Sequence, residues 1–105
     1  MLIGSPGGST ISTVVLQVIL NVLDFGMDIQ QAIDMPRIHH QWLPDEINYE
    51  RFGLSLDVIQ SLQNRGHIFG GIRTLGRCEG IVVDFENEIF FGATDPRGYG
   101  AAIGF

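Results

Sequence analysis

Between Thr10 and Phe25 the chain offers a helix that is apolar round most of its circumference. Thr13, Gln17, Asn21 and Asp24 fall on one narrow stripe, whereas Ile11, Val14, Val15, Leu16, Val18, Ile19, Leu20, Val22 and Leu23 occupy the rest. A helix patterned in this way has to be covered on several sides. The remainder of a 105-residue chain can provide about two of them, so a further sheet or a partner chain is the expected source of the others.

That helix is entered through Gly4-Ser5-Pro6-Gly7-Gly8-Ser9-Thr10, and Leu2-Ile3 before it reads as the end of a strand. Gly7 and Gly8 have no Cβ, so their amides can approach a ligand closely and take φ/ψ values closed to other residues. They also sit beside the unpaired N–H groups of a helix start, where an anion or a developing oxyanion is stabilised. Strand, glycine turn and helix serve phosphate cradles and oxyanion holes alike. Ser9 or Thr10 is suited to the N-cap and Gly26 to the C′ position, and Asp28 with Gln31 predicts a capping box on a second, short helix that Pro36 stops.

A third helix is expected from Leu56 to Arg65, with Ser55 as N-cap, Leu54 and Ile59 as a hydrophobic staple, and Gly66 at C′. Gly80–Phe85 and Glu88–Ala93 read as two strands around Glu86-Asn87. Their continuous apolar runs, Ile81-Val82-Val83 and Ile89-Phe90-Phe91, predict a hairpin covered on both faces. Gly70-Gly71 and Gly76 read as loop, and the small, apolar tail Gly98–Phe105 as a segment threading through a packed structure. The fold class is α+β in a single domain, residues 1–105, without repeats or low-complexity segments.

With 45% hydrophobic and 17% charged residues the chain is globular and not disordered. Its net charge of −6 argues against a nucleic-acid or anionic-membrane partner. All six basic residues are arginine, which excludes a Walker lysine, a Schiff-base lysine and a serine–lysine dyad. The apolar stretch Ile11–Phe25 is too short and too polar to span a bilayer.

Other residues with chemical potential are better read as structural. Cys78 stands alone, so no internal disulfide is possible, and no nucleophile motif surrounds it. His39-His40, with Asp45, Glu46 and His67, could be drawn as a metal centre. Adjacent residues of an extended chain point to opposite faces, however, so no metal site and no cofactor are expected. Asp95-Pro96-Arg97 could be a structural ion pair or a substrate clamp, and reads as the former, a local brace built on a proline turn.

Gly4-Ser5-Pro6-Gly7-Gly8-Ser9, Asp24-Phe25-Gly26-Met27, Ala32-Ile33-Asp34-Met35-Pro36-Arg37-Ile38-His39-His40-Gln41-Trp42-Leu43-Pro44-Asp45-Glu46 and Gly92-Ala93-Thr94-Asp95-Pro96-Arg97 occur in that order and span nearly the whole chain. In this the sequence resembles the γ-glutamyltransferase (γ-glutamyltranspeptidase) family, specifically the C-terminal part of its small catalytic subunit. The resemblance implies a piece of an N-terminal-nucleophile hydrolase, an αββα sandwich with helices packed on an antiparallel sheet. It also implies an enzyme whose self-processing exposes a threonine that attacks the carbonyl of a γ-glutamyl donor such as glutathione and passes the acyl group to water or an amino acid. Gly7 and Gly8 map onto the oxyanion hole and so onto the substrate-binding wall, whereas the nucleophile maps upstream and not onto this chain. The implied partners are the donor and acceptor and the rest of the chain or the large subunit, and the implied compartment, if the protein is like typical bacterial members, is periplasmic or extracellular. Gly76-Arg77-Cys78-Glu79-Gly80 departs from the Gly-Ser-Thr-Gln pattern of glutathione-acting members, which bears on the donor more than on the reaction. A small anion- or nucleotide-binding domain and a non-catalytic assembly module are the alternatives. The isolated chain is expected to lack activity and, with its first helix incompletely covered, to self-associate.

Overall fold

The computed structural model describes residues 1–105, in which two small three-stranded sheets are joined by helices. In chain order the elements are β1 (Leu2–Gly4), α1 (Ile11–Leu23), α2 (Ile29–Asp34), β2 (Ile38–His39), β3 (Ile47–Tyr49), α3 (Leu56–Asn64), β4 (Phe69–Ile72), β5 (Glu79–Asp84) and β6 (Ile89–Thr94). The first sheet is antiparallel in the order β1-β5-β6, with Leu2 opposite Ile81 and Gly80 opposite Ala93. The second has the order β2-β3-β4, β2 antiparallel and β4 parallel to β3.

Local chemistry explains where the helices start and stop. A 3₁₀ turn, Gly8–Thr10, leads into α1, so Thr10 already has helical dihedrals and its side chain caps no helical amide. Thr10 stands at the expected N-cap position, but its hydroxyl turns back to the Gly7 carbonyl at 2.9 Å instead of making a cap bond. Gly26, at φ +67°, turns the chain after α1. The predicted capping box is present on α2, where the Asp28 carboxylate accepts from the Gln31 N–H at 2.8 Å and the Gln31 side chain accepts from the Asp28 N–H at 3.2 Å.

The core lies where α1 and α2 pack on the first sheet, from Val14, Val18, Ile29, Ala32, Ile33, Leu75, Cys78 and Ala93. Gly80 permits that contact, because a Cβ there would come within 2.9 Å of the Ile29 Cδ1. Except for the exposed Asp24 at its end, the polar stripe of α1 does not point to solvent. Gln17 accepts from the Ile38 N–H and donates to the Ile38 carbonyl, and Asn21 donates to the Ala32 carbonyl, so the stripe is the seam joining α1 to β2 and α2. Apart from Ser12, the exposed positions of the helix are apolar: Ile11, Leu16, Leu20 and Leu23.

Three expectations need correction. The hairpin β5–β6 is covered on one face only; Gly80 and Ala93 lie beneath α2, whereas Ile81 and Phe90 on the other face are exposed, Phe90 by 73%. Gly70-Gly71 is a strand and not a loop, because the backbone of β4 finds a ladder on β3, and a Cβ on Gly70 would come within 2.6 Å of the Glu46 carboxyl group. The tail after Gly98 does not thread a core. It crosses the open face of the hairpin, with Ala102 above Gly92, and Tyr99, Ile103 and Phe105 are exposed.

Helix α3 forms close to the expected span, with Gly66 at φ +95° after it, yet buries no residue, and Ser55 makes no cap bond. The radius of gyration, 15.2 Å, exceeds the roughly 13 Å of a closed domain of this length, as open faces require. Replacing Ile33 by alanine should lower stability to urea by about 2–5 kcal/mol, whereas Leu56→Ala should change it by less than about 0.5 kcal/mol. Equal midpoint shifts for the two would show that the core has been misplaced.

Candidate functional site

The glycine turn is held by its own carbonyl. Thr10 directs both its N–H (3.2 Å) and its hydroxyl (2.9 Å) at the Gly7 oxygen, which turns that carbonyl inward. Gly7 takes φ +137° and Gly8 φ +59°, conformations that glycine adopts without a Cβ penalty. The result is an exposed turn at a helix start whose Gly7 and Gly8 amides have no acceptor within the chain. A Cβ on Gly7 would strike the Thr10 hydroxyl, whereas one on Gly8 would meet nothing within 4 Å. From behind, Ser5 Oγ accepts from the Arg77 N–H at 3.2 Å.

His39 and His40 diverge, as extended chain requires. His39 is buried against α1, its Nδ1 2.8 Å from the Thr13 hydroxyl and its Nε2 3.0 Å from Gln41 Oε1. His40 faces solvent and meets Asp45 at 3.0 Å. No three His, Cys, Asp or Glu side chains converge in a way that could hold a metal ion. Cys78 is buried, and burial first of all pushes its thiol up, with Arg37 opposing and Asp95 adding to the rise; that environment does not favour a thiolate.

Asp95 and Arg97 form a brace that is anything but local. Arg37, 99% buried, donates to Asp95 at 2.7 Å and to the carbonyls of Ile33 and Leu75, and Asp95 also accepts from the Cys78 N–H at 2.7 Å. Arg97 bridges Asp95 at 3.0 Å and Glu50 through its Nε at 2.7 Å. Glu50 in turn accepts from the backbone N–H groups of Arg37 and Leu75. Burial by itself would raise both carboxyl groups. For Glu50 the Arg97 hydrogen bond and the Leu75 amide outweigh it, and for Asp95 the amides of Cys78 and Arg97 with both guanidinium groups, so each pKa lies below its ordinary value. The sequence drew attention to Asp95 and Arg97 but not to Arg37 or Glu50, because the partners lie 58 and 47 residues away from the side chains they bind.

A concavity of about 1130 Å³ lies on the open face of the hairpin with the tail across it, lined by Ile81, Phe90 and Ile103 among others. The glycine turn does not line it.

The profile of the gamma-glutamyltranspeptidase family matches residues 1–105. The chain belongs to that family. It is 39% identical to the glutathione hydrolase proenzyme of Pseudomonas sp. (strain A14) over its full length, and 43% identical over 90% of its length to that of Escherichia coli (strain K12). It spans 20% and 16% of those two proteins. Among solved structures it superimposes on the gamma-glutamyltranspeptidase of Pseudomonas nitroreducens complexed with L-DON with a TM-score of 0.88, at 34% identity, covering 98% of this chain and 54% of that one. The α+β arrangement, with helices packed on an antiparallel sheet, is therefore that of the γ-glutamyltranspeptidase structures.

The ion cluster makes the fold acid-sensitive. Carboxyl groups whose pKa is lowered by folding stabilise the native state when ionised, so their contribution is complete above the unfolded values near 4 and declines as pH falls below about 4 through the lowered native values. Thermal melts should therefore show a midpoint that is level from about pH 6 to 5 and falls below about pH 4, and Glu50→Gln should flatten that fall. A midpoint independent of pH down to about 3 would show that the cluster does not couple to folding.

Proposed function

We propose that this chain is the C-terminal part of the small catalytic subunit of a γ-glutamyltranspeptidase that cleaves γ-glutamyl amides such as glutathione and passes the acyl group to water or an amino acid. The observation that carries the reading is the Gly7–Gly8 turn, whose free amides stand at the start of α1. A threonine contributed from upstream would add its oxygen to the amide carbonyl, and the carbonyl oxygen would become negative as the tetrahedral intermediate forms. The glycine N–H groups would donate to that oxygen, a contribution of about 3–4 kcal/mol per donor in comparable sites. Collapse of the intermediate would expel the amine and leave an acyl-enzyme for water or an amino acid to open. No specific observation favours the nucleotide-binding or the assembly alternative.

Gly8 is the position at which this role can be separated from folding, since a Cβ there meets no neighbour and only the left-handed dihedral resists it. In the full-length parent enzyme Gly8→Ala should lower the acylation rate about 10²-fold or more with donor binding much less affected. Acylation at the parental rate in a variant with the parental melting temperature would show that the oxyanion is stabilised elsewhere.

The remaining partner, on this reading, is the rest of the parent chain and its large subunit, which would cover Ile81 and Phe90 on the hairpin and Leu16 and Leu23 on α1. No helix is long and apolar enough to cross a membrane, and a periplasmic or extracellular location is proposed with the family resemblance. The isolated chain should release nothing from a chromogenic γ-glutamyl anilide and should self-associate through those faces. Turnover after rigorous repurification, or a clean monomer by light scattering without binding of a hydrophobic dye, would count against the two halves of this expectation respectively.

A further inference from the structure

The 3₁₀ turn that carries Gly8 is tied to a second segment of the chain by a set of hydrogen bonds that the oxyanion reading does not use. Ser9 Oγ donates to Gln41 Oε1 at 2.8 Å, across 32 residues of sequence. The same oxygen lies 3.0 Å from His39 Nε2, and Gln41 Nε2 donates to the Leu43 carbonyl at 2.9 Å. His39 Nδ1 lies 2.8 Å from the Thr13 hydroxyl on the first turn of α1. Donor and acceptor roles close consistently around Gln41. The Leu43 carbonyl requires the amide nitrogen of Gln41 on its side, which leaves Oε1 facing Ser9 and His39 as an acceptor. His39 Nε2 must then carry a proton, whereas its Nδ1 meets the Thr13 hydroxyl, which also donates to the Thr10 carbonyl at 3.0 Å.

Gln41 is thus the junction at which Ser9, beside the glycine turn, and His39, buried on β2, meet. The turn has few other restraints: its own carbonyl is fixed by Thr10, but Gly7, Gly8 and Ser9 are exposed. Two flexible glycines give amides that can point in many directions, and an oxyanion donor is useful only when its direction is fixed before charge develops. Resting on the oxyanion reading of Gly7 and Gly8, we propose that Gln41 is a positioning residue, which with His39 and Ser9 holds the Gly8–Ser9 segment in the direction that the transition state requires.

The test uses the full-length parent enzyme and the acylation step. Gln41→Leu removes both accepted hydrogen bonds at similar volume, and Ser9→Ala removes the one that reaches the turn. Each should lower the acylation rate about tenfold, the order expected for one hydrogen bond of about 1.4 kcal/mol, with donor KM changed less than about twofold; Ser9→Ala should keep a melting temperature close to the parent's, whereas Gln41→Leu, which leaves the buried His39 N–H unpaired, should melt lower. Ser9→Thr, which restores the hydroxyl, should recover the rate. The double variant should be no slower than the slower single one, since both break one connection. An unchanged rate in Ser9→Ala, or losses that multiply in the double variant, would overturn the proposal, as would a rise in KM with kcat preserved. Gly8→Ala assayed alongside separates the two ideas: a slow Gly8→Ala with a normal Ser9→Ala removes the positioning role and keeps the oxyanion hole, whereas a normal Gly8→Ala removes both.

Discussion

The buried cluster of Arg37, Asp95, Arg97 and Glu50 is what the rest of this structure depends on. Its members come from the ends of strands in both sheets. Asp95 follows β6 and Cys78, whose amide it binds, precedes β5, whereas Arg37 precedes β2, Glu50 follows β3 and Leu75 stands beyond β4. The two sheets share no strand, so this cluster is a joint between them. Its energetic character follows from burial. The attraction of such ions largely offsets the cost of removing them from water, so the cluster adds modest stability, but removing one partner strands a charge and is destabilising by about 3–5 kcal/mol. A joint of that kind tolerates little variation in geometry. It fixes where β2, and with it His39 and Gln41, lies relative to α1.

The polar stripe of α1 completes that placement. On a free-standing amphipathic helix Thr13, Gln17 and Asn21 would face water; in this chain they bond to His39, to both backbone groups of Ile38 and to the Ala32 carbonyl. Strand β2 is only two residues long and pairs with β3 on one side, so the side chain of Gln17 satisfies the backbone groups that the short ladder leaves open. The glycine turn at the head of α1 and the Gln41 segment after β2 are therefore brought together by the same packing that satisfies the strand. The site geometry is a by-product of backbone satisfaction.

What the fold leaves bare is as informative as what it closes. The outer face of β5–β6 and the outer side of α1 are apolar and open, and the chain spans about a fifth of the curated relatives it matches. Those surfaces behave as a core cut in half, rich in Phe, Leu and Ile, and not as a solvated exterior.

The sequence alone determined the elements whose causes are local. The Asp28–Gln31 box, the turn at Gly26, the helix beginning at Leu56 and the β5–β6 hairpin depend on residues within a few positions of one another, and each was readable for that reason. The ordered motifs also carried the family. Tertiary structure decided everything that depends on distant partners: that Gly70-Gly71 pairs as a strand beside β3, that Thr10 turns back to Gly7, that the hairpin has one open face, and that Arg37 and Glu50 meet Asp95 and Arg97. Propensity and periodicity report what a residue does with its neighbours in sequence. A buried charge or a strand built on glycines is settled by the partner that folding delivers, and that partner lies tens of residues away.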